Sequence, residues 1–332
     1  MALDLVPFDK KPLGHKELIA LLRRRGLEIS DEKKVYWALE KIGFYRLSGF
    51  CLPFQSTKLQ YNKHNFKAGT KFEDVFSLYN FDSNLREITS NALASLEVAL
   101  RTSICERMCG KYDDSHWYTQ KNCFEIGKFQ DVYDSAEKEL NFHPDTHARP
   151  RQDAVKDRIY ARQLFLDHYY SRYNPPSMPP AWMLRETANF TFWAKIFDAL
   201  KLEDQKIIVQ SWRYFDKKAI DPDLFSGWLR SLTILRNRCS HLNRITNRTF
   251  PFEPKLPSSN SSKALFESKT DNLRTLFVII LILTKTSLPD FDWRGKLSKV
   301  FNDYPNVDIE KATGFKKDAD QSWDETNFWT FA

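Results

Sequence analysis

Apolar residues recur along this chain mostly at three- and four-residue spacing, and strand-like alternation is scarce. The pattern predicts a helical protein. His15 to Arg25 reads as a short helix closed by Gly26, because a residue free to take positive φ commonly ends a helix. Ser30 reads as the N-cap of a second helix, with Asp31 and Glu32 in its first turn. That helix should run to about Lys41 and end at Gly43. A compact aromatic run from Phe44 to Phe50 follows; Pro53 ends it, and a polar stretch extends to Thr70.

A helix from about Phe72 is predicted to lead into a long one over roughly Ser83 to Met108. Leu85, Ile88, Ala92, Leu96 and Ala99 form its near-heptad apolar seam. Glu97 and Arg101 stand four apart on it and read as an ion pair across one turn. The simplest role for that pair is structural, with support of neighbouring chemistry as the alternative. Asn141 to Pro150 reads as a loop and Ala154 to Tyr170 as a helix. Asn174 to Pro180 is a rigid connector, since each proline fixes φ and removes a donor. Further helices are expected over Trp182 to Leu200 and Leu224 to Arg248. Pro251 to Ser262 is the clearest linker, and a last helical region spans Leu265 to Thr286. Its apolar run, Leu276 to Leu283, is far short of the roughly 20 residues a membrane span needs, so it reads as a buried core helix.

Composition narrows the function less than the pattern narrows the fold. The chain has 332 residues, 42% hydrophobic and 28% charged, an ordinary globular balance. Its formal charge of +7 fits a polyanionic partner or an incidental surface excess of cations. The five cysteines are odd in number, and the opening residues lack the apolar stretch of a secretory signal. Reduced thiols in a cytoplasmic protein are the expectation. Cys105 and Cys109 with His143 and His147 have the residue types of a zinc site. The gap between the pairs is long, however, and Pro144 interrupts the second, so no metal site is assigned. There is no phosphate-cradling glycine loop and no paired carboxylates of a metal nuclease, and no cofactor is expected.

The informative segment is Leu224 to Arg248. Placed on a helix, Trp228, Leu232, Leu235, Cys239 and Leu242 form a buried stripe. Asn237, His241, Arg244 and Arg248 form a second stripe on the opposite side, with Arg236 reaching in from between. No acid occurs between Asp223 and Glu253, while Arg230, Arg236, Arg238, Arg244 and Arg248 all do. Such a face is either waiting for phosphate, or lies in solvent, or is paired with acids from elsewhere in the fold. RNA cleavage by internal transfer fits the residue types. A histidine titrates near neutrality and moves protons, and a fixed guanidinium sits over the phosphate oxygens. One helix offers one histidine, so two copies facing each other across a two-fold axis would fill both acid and base roles more easily.

The run Arg236-Asn237-Arg238-Cys239-Ser240-His241 resembles the Arg-x4-His signature of HEPN-domain ribonucleases. Three blocks together resemble the abortive-infection (Abi) family, its AbiD/AbiF-like group. They are RGLEISDEKKVYWALEKIGFYRLSGFCLPF, FEDVFSLYNFDSNLREITSNALASLEVALRTSI and WLRSLTILRNRCSHLNRITNR. The resemblance covers roughly residues 12–250. It implies an all-α, HEPN-type helical bundle: an N-terminal helical region over residues 1–66, the core over 67–250, and a C-terminal helical extension over 251–332. It further implies metal-independent endoribonuclease activity at a dimeric, composite site, with Arg236 and His241 catalytic and Asn237 supporting them. Arg244, Asn247 and Arg248, with Arg238 beside them, would hold RNA or the partner subunit. The implied setting is phage defence with an antitoxin, in some members a small RNA. Ser240 and Leu242 depart from the family's usual Ala and His or bulkier residue, which bears on the neighbouring contacts rather than on the Arg-His pair. The alternative is a module of the same fold that binds RNA or a toxin partner without cutting; DNA binding by the basic helix is a third.

Overall fold

The structure, a computed structural model, describes residues 11–56, 64–140, 164–173, 175–214, 217–257, 263, 265–266, 271–288 and 290–316. The chain divides into two compact units, one of Met1–Leu85 with Lys299–Ala312 and one of Arg86–Ser298 with Thr313–Ala332. Both are built from helices; among the described residues the only β pairing is four isolated bridges. The all-α expectation therefore holds.

In the first unit, α1 (His15–Arg24) buries Ile19 and Leu22 and ends where Gly26 turns to φ 90°, the residue the sequence marked. The N-cap of α2 (Glu32–Lys41) is Asp31, whose carboxylate accepts from the Lys34 amide at 3.0 Å. Ser30, expected in that role, instead donates its hydroxyl to Glu73. Two competent cap residues stand side by side, and the carboxylate, with its charge toward the helix dipole, takes the position. Gly43, at φ 89°, separates α2 from α3 (Phe44–Cys51), and Pro53 lies in the 3₁₀ turn that follows. A parallel bridge ties Glu28 to Lys71 at the start of α4 (Phe72–Tyr112). Phe81 of this helix packs against Phe301, and the Asn84 amide donates to the Tyr304 hydroxyl.

The second unit holds the Arg86–Tyr112 part of α4. It is followed by α5 (Phe129–Glu139), α6 (Leu164–Arg172), α7 (Ala181–Thr187), α8 (Phe190–Ala199), α9 (Leu202–Val209), α10 (Pro222–Ser240) and α11 (Leu273–Ser287). Two predicted helices over Phe72–Met108 are thus one. Its buried stripe here is Leu93, Leu96, Leu100, Ile104 and Met108, while Ile88 and Ala99 of the expected seam are only half-buried. The single helix predicted for Trp182–Leu200 is two, broken at Ala188 because the Asn189 side chain caps α8 by accepting from the Phe192 amide. α9 went unread. The predicted loop at 141–150 and most of the helix at 154–170 lie outside the described residues.

α10 packs against α8, α9 and α11. Phe225 meets Phe197 at 5.0 Å and Trp212 at 5.2 Å between ring centroids, and the Trp228 indole donates to the Lys255 carbonyl. Leu276 to Leu283 is buried throughout, as predicted. Among the described residues no helix is long and apolar enough to cross a membrane.

Candidate active site

α10 is fixed at both ends by local chemistry. Asp221 caps its N-terminus, accepting from the amides of Asp223 and Leu224, and Pro222 occupies the first turn, where no amide donor is needed. Trp228, Leu232, Leu235 and Cys239 are buried, as the predicted stripe requires. The helix does not reach Arg248, however. It stops at Ser240, His241 is the C-cap, and Leu242 turns to φ 55°. The Leu242 amide bonds back to the Cys239 carbonyl at 3.0 Å and the Asn243 amide to Arg238 at 2.8 Å. That pairing is a Schellman motif, which satisfies the last carbonyls and reverses the chain. Leu242, predicted in the buried stripe, is accordingly 56% exposed. The second stripe also fails as a helical face, because Arg244, Asn247 and Arg248 lie beyond the helix on irregular chain.

What remains is a compact end. Arg236, Asn237 and Arg238 occupy the last turn of α10, each half-buried, and His241 is exposed at the cap. The Arg236 Nε lies 3.7 Å from a carboxylate oxygen of Glu97, and its Nη1 donates to Asn237 Oδ1 at 3.4 Å. Glu97 also lies 3.8 Å from Arg101, whose guanidinium donates to the Arg185 carbonyl at 3.0 Å. Two arginines thus flank one carboxylate whose side chain is only 13% exposed. Burial pushes the Glu97 carboxyl above its usual range, and the charges of Arg236 and Arg101 offset only part of that. Glu139 is similar. Burial raises it, while the Asn189 amides and the charge of Arg236 pull the other way.

The acids that answer this basic segment therefore come from α4 and α5. Arg236 is a cation paired from elsewhere in the fold, one of the three alternatives the sequence left open. Asp198 supplies a second case. Burial raises it, yet hydrogen bonds from Ser226 and Lys128, with Arg230 nearby, bring it below its usual value. Arg238 differs. Its Nε is buried without a hydrogen-bond partner, its guanidinium lies over Phe250 at 5.6 Å, and burial and the charge of Arg248 depress it. The chain reversal thus brings Arg248 back toward Arg238. Arg244 and Asn247 are half-buried, Asn247 at φ 52°, and Arg248 is exposed.

Sequence reasoning identified Glu97 and Arg101 as a pair and held a supporting role beside the helix of Arg236 as its alternative, the one that the 3.7 Å approach of Glu97 to Arg236 favours; it missed Glu139, Asn189 and Arg185. The carboxylate at Glu97 on a helix seam, where an apolar residue would be ordinary, was the available signal. Among the described residues no group of three or more His, Cys, Asp or Glu is placed to hold a metal; His143 and His147 lie outside them.

No curated protein and no solved structure matches this chain. A family model described as Abi-like protein matches residues 37–247. The match takes in Glu97, Glu139, Arg236, His241 and Asn247, and stops short of Arg248. Because it spans more than half of the sequence, the chain belongs to the family of Abi-like proteins.

Proposed function

We propose that this chain is a HEPN-type endoribonuclease acting in abortive infection, cleaving RNA without a metal. One observation carries the reading. An arginine oriented by a carboxylate and an exposed histidine share the last turn and cap of one helix whose other face is anchored in the core.

In the reaction, a base removes the proton of a ribose 2′-OH and the oxygen attacks the adjacent phosphorus. The P–O5′ bond breaks, and the departing 5′ oxygen is protonated. The products are a 2′,3′-cyclic phosphate and a 5′-OH. His241 is the proton-transfer group. Arg236, held on one side by Glu97, offers its remaining N–H donors to the phosphate oxygens, and Asn237 fixes its orientation. Arg238, Arg244, Asn247 and Arg248 hold the RNA backbone. A second copy would contribute a second His241, dividing acid and base between protomers. The setting we propose is cytoplasmic phage defence, with the toxic activity held by an antitoxin such as a small RNA.

The test compares wild type with His241→Ala on end-labelled RNA in EDTA. The expected result is cyclic-phosphate ends from wild type and a rate lower by about 10²–10⁴ in the variant. Equal cleavage by both removes His241 from the site. Tight RNA binding without cleavage by either favours a binding module, a reading helped by the fact that Glu97 already partners Arg236. Light scattering checks the dimer.

A further inference from the structure

Trp37 stands outside the core that its own helix builds. α2 buries Val35, Ala38 and Leu39, and Trp37 lies off that stripe with 49% of its surface open. It meets Phe76 of α4 edge to face, 6.3 Å between ring centroids at 84°. Phe76 is itself half-buried, and it lies nearly parallel to Phe72 at 5.7 Å and to Tyr79 at 6.1 Å. A T-shaped contact uses at most one face of the indole. The ring is therefore held in place by the phenyl series while much of it stays open, an aromatic platform set before any partner arrives.

The charges around this platform are mostly positive. Lys33 and Lys41 lie about one helical turn before and after Trp37, and both are exposed. Lys34 holds its ammonium 4.9 Å from the Phe76 centroid. Carboxylates nearby are engaged with other donors. Asp31 caps α2, and Glu32 pairs with Arg23 at 2.8 Å. Glu73 accepts from the Ser30 hydroxyl, and Asp74 from the Lys71 amide. Glu40, 3.5 Å from Lys41, offsets one of the three cations.

We propose that the Trp37 face of α2 is a binding surface for single-stranded RNA, with a base stacked on the indole and the flanking phosphates against Lys33 and Lys41. Stacking needs a base whose face is free, which a single strand offers and a duplex hides. Aromatic rings interleaved with cations are the usual means of holding such a strand. The centres of protein interfaces, by contrast, are depleted of lysine. The choice of RNA over DNA rests on the activity proposed above. The surface itself does not, since a chain that binds without cutting would use it equally. Its residues all belong to the unit of Met1–Leu85 with Lys299–Ala312, whereas Glu97 and Arg236 to His241 belong to the other.

The test uses the full chain carrying His241→Ala, in EDTA, so that the RNA stays whole, and an unstructured eight-nucleotide RNA as probe. A stacked base quenches indole emission. The chain has nine tryptophans, so the quenching that disappears in Trp37→Phe is the signal of this surface. That signal is expected to saturate with the single strand and to be small with a duplex of the same sequence. Replacing Lys33 and Lys41 together by alanine should weaken the titration. It should also flatten the dependence of log affinity on log salt by about 1.4, at about 0.7 for each phosphate contact of a single strand. Circular dichroism checks folding, and both lysines are exposed. Quenching that is identical in Trp37→Phe, equal quenching by the duplex, or a titration unmoved by the lysine pair overturns the proposal. A DNA strand binding as tightly as the RNA gives the surface to DNA instead, and a dimer that dissociates in Trp37→Phe gives it to a second copy. Cleavage by the wild type without this signal removes the surface and leaves the proposed activity standing; the signal without cleavage does the reverse.

Discussion

Leu242 decides how α10 ends, and a pair of substitutions there reads the answer in its sign. Leu242 is a non-glycine residue at φ 55°, with the amide of Asn243 bonded back to Arg238. For an L residue the left-handed conformation costs about 1–2 kcal/mol. Glycine escapes that but loses about 0.5–1 kcal/mol more chain entropy on folding. Comparing Leu242→Gly with Leu242→Ala cancels the lost leucine surface, because neither retains the side chain. The Schellman end predicts that the glycine variant is the more stable by about 0.5–1 kcal/mol. Had the helix continued to Arg248, as its periodicity suggests, the glycine variant would be the less stable by about 1 kcal/mol. Urea unfolding at pH 7, with equal slopes for both proteins, measures the difference as a shift in midpoint. On heating, the same preference appears as a few degrees in Tm. An alanine variant equal to or more stable than the glycine variant would refute the assigned chain reversal, and with it the position of His241 at a cap.

Two further outcomes follow from buried acids. Glu97 has its folded pKa above its unfolded value of 4.5, so its stabilising contribution is present below that value and is lost as pH rises through the folded pKa. Glu97→Gln, which resembles the protonated form, should therefore unfold at pH 7 no sooner than wild type, the gap closing on acidification. On the proposed mechanism it should cleave RNA more slowly, because Arg236 loses its orienting charge. A clear loss of stability at pH 7 would mean that attraction, rather than burial, governs the site. Asp204, fully buried in its side chain, accepts from Lys111 at 2.5 Å and from the Tyr112 hydroxyl at 2.8 Å. Asp204→Ala should cost about 2–3 kcal/mol, since Lys111 still reaches Glu203 while Tyr112 loses its acceptor. Burial first, and Asp204 second, push Tyr112 up to about 12, so ultraviolet titration of the variant should show a phenol ionising at lower pH. An unchanged denaturation midpoint would contradict the role given to Asp204.

Where helices begin and end was legible only when one residue had the means to act alone. Gly26 and Gly43 terminate helices as read, because their positive φ is what glycine tolerates. The stripe Trp228, Leu232, Leu235 and Cys239 was legible because periodicity reports burial directly. The break at Ala188 was not, for no glycine or proline marks it; Asn189, equally at home in a helix or at a cap, decides it by bonding to Phe192. The end of α10 was hidden for a related reason. A leucine does the work usually left to glycine, and nothing in its identity announces that. Of the candidate site, Arg236, Asn237 and His241 were legible by spacing. Their electrostatic setting was legible only as an alternative, acids supplied from elsewhere with the Glu97–Arg101 pair beside the helix, since Glu97 and Glu139 lie far off in sequence and only the fold brings them to Arg236.

The chain reversal at Leu242 leaves the two parts of this basic segment under different constraints. The five-residue interval from Arg236 to His241 is set by helical geometry, and one residue inserted there would rotate the histidine by about 100° relative to the arginine. From Asn243 onward no helical register is at stake. What holds the chain there is burial instead: Ile245 and Thr246 are fully buried, Phe250 lies under Arg238, and its amide bonds to the Asp271 carbonyl. The two parts are thus anchored differently: the interval between Arg236 and His241 answers to helical rotation, whereas Arg244, Asn247 and Arg248 are placed by the buried side chains between them, so a change at Ile245 or Thr246 would move those three while leaving the spacing of Arg236 and His241 as it is.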